Sequence, residues 1–589
     1  MDLDQRVCDR ARRSRDARFD GRFFIAVTTT GVYCRPICPA RAPKDEHVRY
    51  FPTAAAAEAA GFRPCLRCRP EASPGTPAWL GTSGIVSRAL RMIGDGALRG
   101  EGAASVLRGA GAPGLNLRGA GAPGLNLRGA GAPGLNNDGV EQLAGRLGVT
   151  ARHLRRLFLQ HLGATPLDVA LTRRVHFAKK LLDETSLAFH QVAIASGFGS
   201  LRRFNGQIRR TYSRTPTQLR RLARQKAAAD PDCYRFRLAY RPPYDWDAML
   251  AFLSARATPG VESVIPAPRP TTKNAKTAKG ANDEARQSLR SSRPLRSSWS
   301  SSDGSRYRRT ISVDGRHGSI EVSRLESRSA LSLEVRFPDP RALLFIVERV
   351  KAMFDLGADP AIIAEHLRAD PLLRGPLAKH PGIRTPGAWD GFELAVRAIL
   401  GQQISVRAAT TMAGRIATMF GSPAISGDQS EWLFPTPAQL AHAAIERAGV
   451  VSARAETIRS LARRVADATI TFNSSVDARE MVSALKDLPG IGDWTAEYIA
   501  MRALGEPDAF PSGDLVLRRM AGGCAARELD RRSASWRPWR AYAVMLLWQS
   551  ARDEHDTSSR RRHAQRDGRS KLHDGNGRSA RVSSAHGAT

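Results

Sequence analysis

Two pairs of cysteines near the N-terminus constrain this chain more than any other feature. "TTTGVYCRPICPA" carries Cys34 and Cys38, and "GFRPCLRCRPE" carries Cys65 and Cys68. Pro36 and Pro39 put the first pair on a loop rather than a helix. No run of about 18 apolar residues occurs, and "MDLDQRVCDRARRSRD" holds no apolar signal core. The chain therefore reads as cytosolic and not membrane-bound, where a disulfide framework is disfavoured. The spacing C-x3-C…C-x2-C supplies the four soft thiolates that tetrahedral zinc takes. Cys34, Cys38, Cys65 and Cys68 are thus expected to hold one Zn²⁺, while Cys8, Cys233 and Cys524 stand alone as ordinary small residues.

The 589 residues are enough for several domains, and 90 Lys+Arg against 56 Asp+Glu leave a formal charge of +34. Such an excess suits a polyanion, and with no membrane segment the favoured partner is nucleic acid. Composition divides the chain. "LRGAGAPGLN" occurs three times without a gap over 107–136, each copy with three Gly and one Pro, and reads as a flexible insert without chemistry. Residues 266–306 are rich in Ser, Lys and Arg and read as a disordered insert; the tail 553–589 is polar, basic and expected to be disordered. "YRFRLAY", "RRTISVD", "GSIEVSRL" and "ALSLEVRF" read as strands, and 340–550 as almost wholly helical.

"GVEQLAGRLGVTARHLRRLFLQHLGATP" reads as a helix-turn-helix. Leu143 and Leu147 share one face, Gly148 ends the first helix and Thr150 caps the second. A second unit follows in "FHQVAIASGFGSLRRFNGQIRRTYSRTPTQLRR", where Val192 and Ile194 are expected to pack, Gly197 to turn and Ser200 to cap. Arg152 and Arg155 on one second helix, and Arg202 and Arg203 on the other, are candidates for major-groove contact. Two such units joined by a helix resemble the AraC-type DNA-binding domain, down to the "GF-x-S…F…TP…R" pattern. The resemblance implies promoter DNA and RNA polymerase as partners.

The cysteine segment is similar to the Ada family, whose "TTG-[VI]-[YF]-C-R-P-x-C-x-A-R" and "GFRPC-x-R-C-x-P" strings both stand here. That resemblance implies zinc on the four cysteines. It also implies that Cys34 takes a methyl group irreversibly from a methylated DNA phosphate, with Arg41, Arg63 and Arg67 as phosphate partners. Ada proteins usually carry a second acceptor in a P-C-H-R motif. None occurs here, so repair of O6-methylguanine is not expected.

"LKDLPGIGDWTAEYIAMRAL" at 485–504 reads as helix, hairpin, helix, in which Gly490 and Gly492 let backbone N–H groups meet a phosphate. With "DAFPSGDLVLRR" downstream it resembles the helix-hairpin-helix glycosylase superfamily. "RPPYDWDAMLAFLSARATPGVESV", "WDGFELAVRAILGQQISVRAA", "FPTPAQLA" and "WRPWRAYAVMLLW" extend the likeness to AlkA-type 3-methyladenine DNA glycosylases. The resemblance implies Asp514 as catalytic carboxylate, and Trp494, Tyr498 and Trp548 as a base pocket. It places Gln402 and Gln403 at the DNA, Gln403 standing where relatives have an apolar wedge, and Leu515 where the prototype has an aromatic. It further implies a monovalent cation at the hairpin, with Trp494 in the place of a lyase lysine. No second cluster of four cysteines occurs, so no iron–sulfur cluster is expected.

The expected fold is multidomain and mainly α with α+β parts. A four-cysteine zinc domain spans 1–80 and an AraC-type double helix-turn-helix 85–224. A small antiparallel β-rich domain spans 233–340 and a helical glycosylase domain 341–552. The expected function is excision of alkylated bases from double-stranded DNA, fused to a methyl-phosphotriester acceptor and transcription regulator, cytoplasmic and nucleoid-associated. The competing reading is a regulator whose C-terminal half has lost catalysis.

Overall fold

The computed structural model describes residues 4–75, 84–98, 137–223, 232–267, 304–325, 328–424, 431–473 and 476–557. The tandem repeat at 107–136, most of the 266–306 insert and the tail from 558 lie outside the described residues.

The N-terminal module is a four-stranded sheet of β1 (Phe24–Val27), β2 (Val32–Cys34), β3 (Val48–Phe51) and β4 (Arg63–Pro64), in the order β3-β1-β2-β4. β1 runs antiparallel to β2 and β3, and β4 is parallel to β2, which brings the second cysteine pair beside the first. Cys34 is the last residue of β2 rather than part of a loop, a placement hidden by the brevity of the strand. The module's own apolar clusters are small, one of Cys8, Ala11, Phe23 and Ile25, the other of Phe24, Ala26, Tyr33 and Ala57, while its Ala55 and Ala56 join a larger cluster with Met92 and Phe158 of the helices that follow.

Two helix-turn-helix units follow. In the first, Thr150 accepts from His153 N–H at 3.2 Å and starts the helix Ala151–Leu162. In the second, Ser200 accepts from Arg203 N–H at 3.2 Å and starts Leu201–Tyr212. Gly148 and Gly197 take the left-handed turns with φ of 71° and 80°. The helix Pro166–Glu184 joins the units, opened by a capping box between Thr165 and Asp168. Ile194 corrects the sequence reading. It is 48% exposed, because it lies about 200° around a seven-residue helix from the buried Val192.

A five-stranded antiparallel sheet follows, comprising β5 (Cys233–Ala239), β6 (Glu262–Ile265), β7 (Arg306–Val313), β8 (Arg316–Leu325) and β9 (Ala330–Arg336), in the order β5-β9-β8-β7-β6. Asp314 and Gly315, both at positive φ, make the two-residue turn between β7 and β8. Short β6, which the sequence pattern does not reveal, closes one edge. Among the described residues from 340 onward, the chain is helical apart from a two-residue ribbon pair, Ser422–Pro423 with Trp432–Leu433.

The modules are not beads on a string. One apolar core contains Phe177, Leu181, Val192 and Phe204 of the helix-turn-helix region together with Phe236, Leu333 and Val335 of the sheet. Arg22 of the zinc module makes a two-pronged ion pair with Asp359, and Arg241 donates to the Gly75 and Gly357 carbonyls. No helix among the described residues is long and apolar enough to cross a membrane.

Candidate functional site

The four sulfurs of Cys34, Cys38, Cys65 and Cys68 all lie within 4.8 Å of one another. Four Zn–S bonds of about 2.3 Å in a tetrahedron would set them about 3.8 Å apart, so the donor set and its spacing fit zinc. Hydrogen bonds among the sulfurs lower Cys38 to about 7 and Cys65 further, and raise Cys34 and Cys68. Four thiols this close readily give up protons to one cation. The buried Arg35 supports them: its N–H donates to Cys68 Sγ at 3.4 Å, and its guanidinium spans Asp20 and the Cys68 carbonyl. Cys65 and Cys68 are buried, while Cys34 and Cys38 are partly open. Arg41, Arg63 and Arg67 are exposed on the same module and, among the described residues, form no ion pair.

Both second helices of the helix-turn-helix region present cationic faces. Arg152, Arg202 and Arg203 are exposed and Arg155 is half-buried, over apolar faces formed by Leu154 and Phe158 in one helix and Phe204 and Ile208 in the other. The apolar stripe fixes each helix, and the charged stripe lies on the outer side.

In the C-terminal half, the hairpin between helices Ala478–Lys486 and Asp493–Ala503 turns at Gly490, with φ of 90°. A Cβ there would stand 2.3 Å from Thr457 Oγ1, so the position demands glycine. Gly492 precedes the second helix and faces open space, which leaves the N-terminal amides accessible. Gln402 does not point away from the protein: its amide donates to the Gly490 carbonyl at 2.8 Å and to Thr495 Oγ1 at 2.9 Å, bracing the hairpin. Its neighbour Gln403 is exposed with a left-handed φ of 57°, a sparsely populated backbone for a non-glycine residue.

Asp514 caps the short helix Leu515–Met520, accepting from Val516 N–H at 3.0 Å and Leu517 N–H at 2.9 Å. Two indoles reach the same carboxylate. Trp494 Nε1–H donates to Oδ2 at 2.9 Å, and Trp548 Nε1–H donates to Oδ1 at 3.1 Å. Four donors from three elements thus fix a half-buried acid. Tyr498 stacks on Trp494 with ring centroids 5.4 Å apart at 8°, and lies 6.2 Å from Trp548. The four residues singled out from the sequence form one constellation.

Sequence reasoning missed two members. Phe252, on the helix Trp246–Arg256, extends the aromatic row by stacking on Trp548 at 6.4 Å and 20°. Arg502, one turn after Tyr498, is buried and donates to the tyrosine hydroxyl at 2.7 Å. Phe252 reads as a core residue of an apolar helix. Arg502 carries a charge where a buried face was expected, the one local signal that could have marked it.

Comparison with known proteins matches four family descriptions in succession. They are the metal binding domain of Ada at 7–71, a helix-turn-helix domain at 143–222, the AlkA N-terminal domain at 235–390, and the HhH-GPD superfamily of base excision DNA repair proteins at 396–531. A "probable bifunctional transcriptional activator/DNA repair enzyme AlkA" of Mycobacterium tuberculosis is 38% identical over 551 residues, covering 92% of this chain and 95% of that one. DNA-3-methyladenine glycosylase 2 of Escherichia coli is 30% identical over 53% of this chain and 96% of its own length. The bifunctional transcriptional activator/DNA repair enzyme Ada of the same organism is 53% identical over 58 residues, 10% of this chain and 16% of its own.

Proposed function

Because the chain belongs to the family of bifunctional transcriptional activator/DNA repair enzymes related to AlkA, we propose that it excises alkylated bases at Asp514 and accepts a methyl group at Cys34. It is a DNA alkylation-repair glycosylase joined to a zinc-binding, helix-turn-helix regulator, and DNA is its partner. The observation that carries the excision site is the Asp514 carboxylate, held by four N–H donors beside Trp494, Tyr498 and Trp548.

The hairpin amides near Gly490 and Gly492 hold the backbone, and Gln403 enters the duplex as the nucleotide flips out, at a cost of a few kcal/mol. An N3- or N7-alkylated purine is cationic, so its bond to C1′ breaks with the electron pair leaving on the base, which becomes neutral. Positive charge develops on the sugar, where the fixed Asp514 carboxylate stabilises it and takes a proton from the water that attacks C1′. Trp494 has no amine to form a Schiff base, so the reaction stops at base removal. The test is release of 3-methyladenine from methylated duplex by wild type and its loss in Asp514→Asn. A wild-type chain that releases no base reduces the C-terminal half to a DNA clamp, the regulator-only reading.

At the other end, the partly open Cys34 receives the methyl group of a phosphotriester. A C–S bond forms, the methyl C–O bond breaks, and the phosphodiester anion leaves. Zinc bound by Cys34, Cys38, Cys65 and Cys68 would keep the sulfurs deprotonated and carry a formal −2 with them. Methylation removes one negative charge; at about 5 Å from a phosphate and an effective dielectric of ~20 this is on the order of 3 kcal/mol before salt. Arg41, Arg63 and Arg67 then grip DNA more firmly, and Arg152, Arg155, Arg202 and Arg203 read a promoter to which RNA polymerase is recruited. Mass spectrometry after incubation with methyl-phosphotriester DNA tests this, and an unmodified Cys34 refutes it. The hairpin carbonyls are the place for a monovalent cation, and the cytoplasm, at the nucleoid, is the place of action.

A further inference from the structure

Behind the aromatic row lies a buried array of charge that the excision scheme leaves unused. Arg502 is 5% exposed and donates to Tyr498 Oη at 2.7 Å, Arg256 hydrogen-bonds the same oxygen, and Arg397, which donates to the Arg256 carbonyl, adds positive charge nearby. Around them stand Glu393 on the helix Gly391–Leu400, Glu262 on β6, and Arg309 and Tyr307 on β7. The carboxylates are already committed. Glu393 pairs with Arg309 at 2.8 Å and Arg397 at 3.2 Å, while Glu262 pairs with Arg397 at 2.7 Å and accepts from Tyr307. Arg502 also donates to the Pro386 and Gly387 carbonyls, but among the described residues neither it nor Arg256 makes an ion pair with a carboxylate. Four guanidiniums therefore share two acids, and buried charge left unpaired is costly.

We propose that Tyr498 is the missing counter-charge, a phenolate held beneath Trp494 that favours capture of a cationic base. This rests on the glycosylase reading above and adds a positioning residue to it. Burial pushes the phenol up, but Arg502, Arg256 and Arg397 outweigh burial and lower Tyr498 from its ordinary value. The ring is parallel to Trp494, whose N–H is bound to Asp514, so the phenolate is the layer of that array that stacks directly on a wall of the pocket, with the guanidiniums that hold it gathered at its oxygen. Its effect belongs to binding rather than chemistry. The base is cationic while attached and neutral once it leaves, so the phenolate stabilises the flipped substrate more than the departing product.

The test uses the full chain. Of its nine tyrosines, one should give a phenolate absorbance band at a lower pH than the others, a band missing from Tyr498→Phe and moved to higher pH in Arg502→Met. A pH titration of wild type alone should show one tyrosine ionising before the rest, which keeps the test independent of variant folding. In single-turnover excision, Tyr498→Phe should lose about tenfold more apparent affinity for duplex carrying 7-methylguanine than for duplex carrying the neutral base hypoxanthine. A Tyr498 that stays neutral to pH 10, or equal losses on both bases, overturns the phenolate and leaves the glycosylase standing. A wild-type chain that releases neither base sinks the glycosylase reading itself.

Discussion

The pair Arg22–Asp359 tests whether regulator and glycosylase form one body. Asp359 has 3% of its side chain exposed and Arg22 16%, and both carboxylate oxygens receive the guanidinium. Breaking one partner of a buried pair costs about 3–5 kcal/mol, because a charge is left without its mate. Here Asp359 Oδ1 keeps two backbone donors, Ala361 N–H at 3.2 Å and Ile362 N–H at 3.3 Å, since it also caps the helix Pro360–Leu367. That places Arg22→Met near the lower limit, about 3 kcal/mol. Asp359→Asn keeps the cap and strands Arg22, which can turn partly to water, so it should cost less, about 2 kcal/mol. The double variant buries no charge, and the coupling between the two changes should be about 2 kcal/mol. Urea unfolding followed by tryptophan fluorescence reads all four chains. Additive changes, with coupling under about 0.5 kcal/mol, would show that the zinc module does not dock on the other half in solution.

His380 bridges Asp245, which caps the helix Trp246–Arg256, and Asp553 on the final helix, at 2.7 and 2.9 Å. Burial lowers its value but the two carboxylates outweigh burial and raise it, so its contribution is full below about pH 6.5 and is lost as pH rises through the folded value. The urea midpoint of wild type should therefore fall more than that of His380→Gln on going from pH 6 to pH 9. Gly490→Ala should destabilise by about 1–2 kcal/mol from its left-handed φ alone, with more from the contact with Thr457, and should weaken binding to undamaged duplex; equal affinity would remove the hairpin from the interface. Stripping metal with a chelator should release one zinc per chain and lower the melting temperature of the zinc module, whose apolar clusters are small; unchanged melting would make the metal dispensable for folding.

What could be read from the sequence was chemistry with short reach. Ligand spacing at Cys34, Cys38, Cys65 and Cys68, caps at Thr150 and Ser200, and the glycine at 490 each depend on neighbours a few residues away. Ile194 went wrong within that range, because apolar character alone does not say which side of a seven-residue helix meets the core. Gln402 illustrates the longer range: an amide that braces the Gly490 carbonyl 88 residues later looks in sequence like any polar group near DNA. The strands of the zinc module and β6, two to four residues long, are too short for alternation to show. Phe252 acquires meaning only when the helix Trp246–Arg256 meets Trp548, far along the chain. Arg502, by contrast, bonds Tyr498 one turn away on its own helix and was legible as a charge on a buried face.

The shared core alters what fusion means for this chain. Two tethered domains would unfold independently, and damage to one would spare the other. Here the helix Pro166–Glu184 gives Phe177 and Leu181 to the same apolar interior as Phe236 on β5, so the second helix-turn-helix and the sheet under the glycosylase draw on one source of stability. The recognition helix Leu201–Tyr212 nevertheless buries only Phe204, Ile208, Thr211 and Tyr212, and its Arg202, Arg203, Arg209 and Arg210 stay on the surface. Docking thus uses the apolar face and spares the cationic one. The cationic face of that helix and the Asp514 carboxylate therefore belong to parts joined by packing rather than by a free linker, so on the proposed function a duplex engaging both would have to bend to suit the protein.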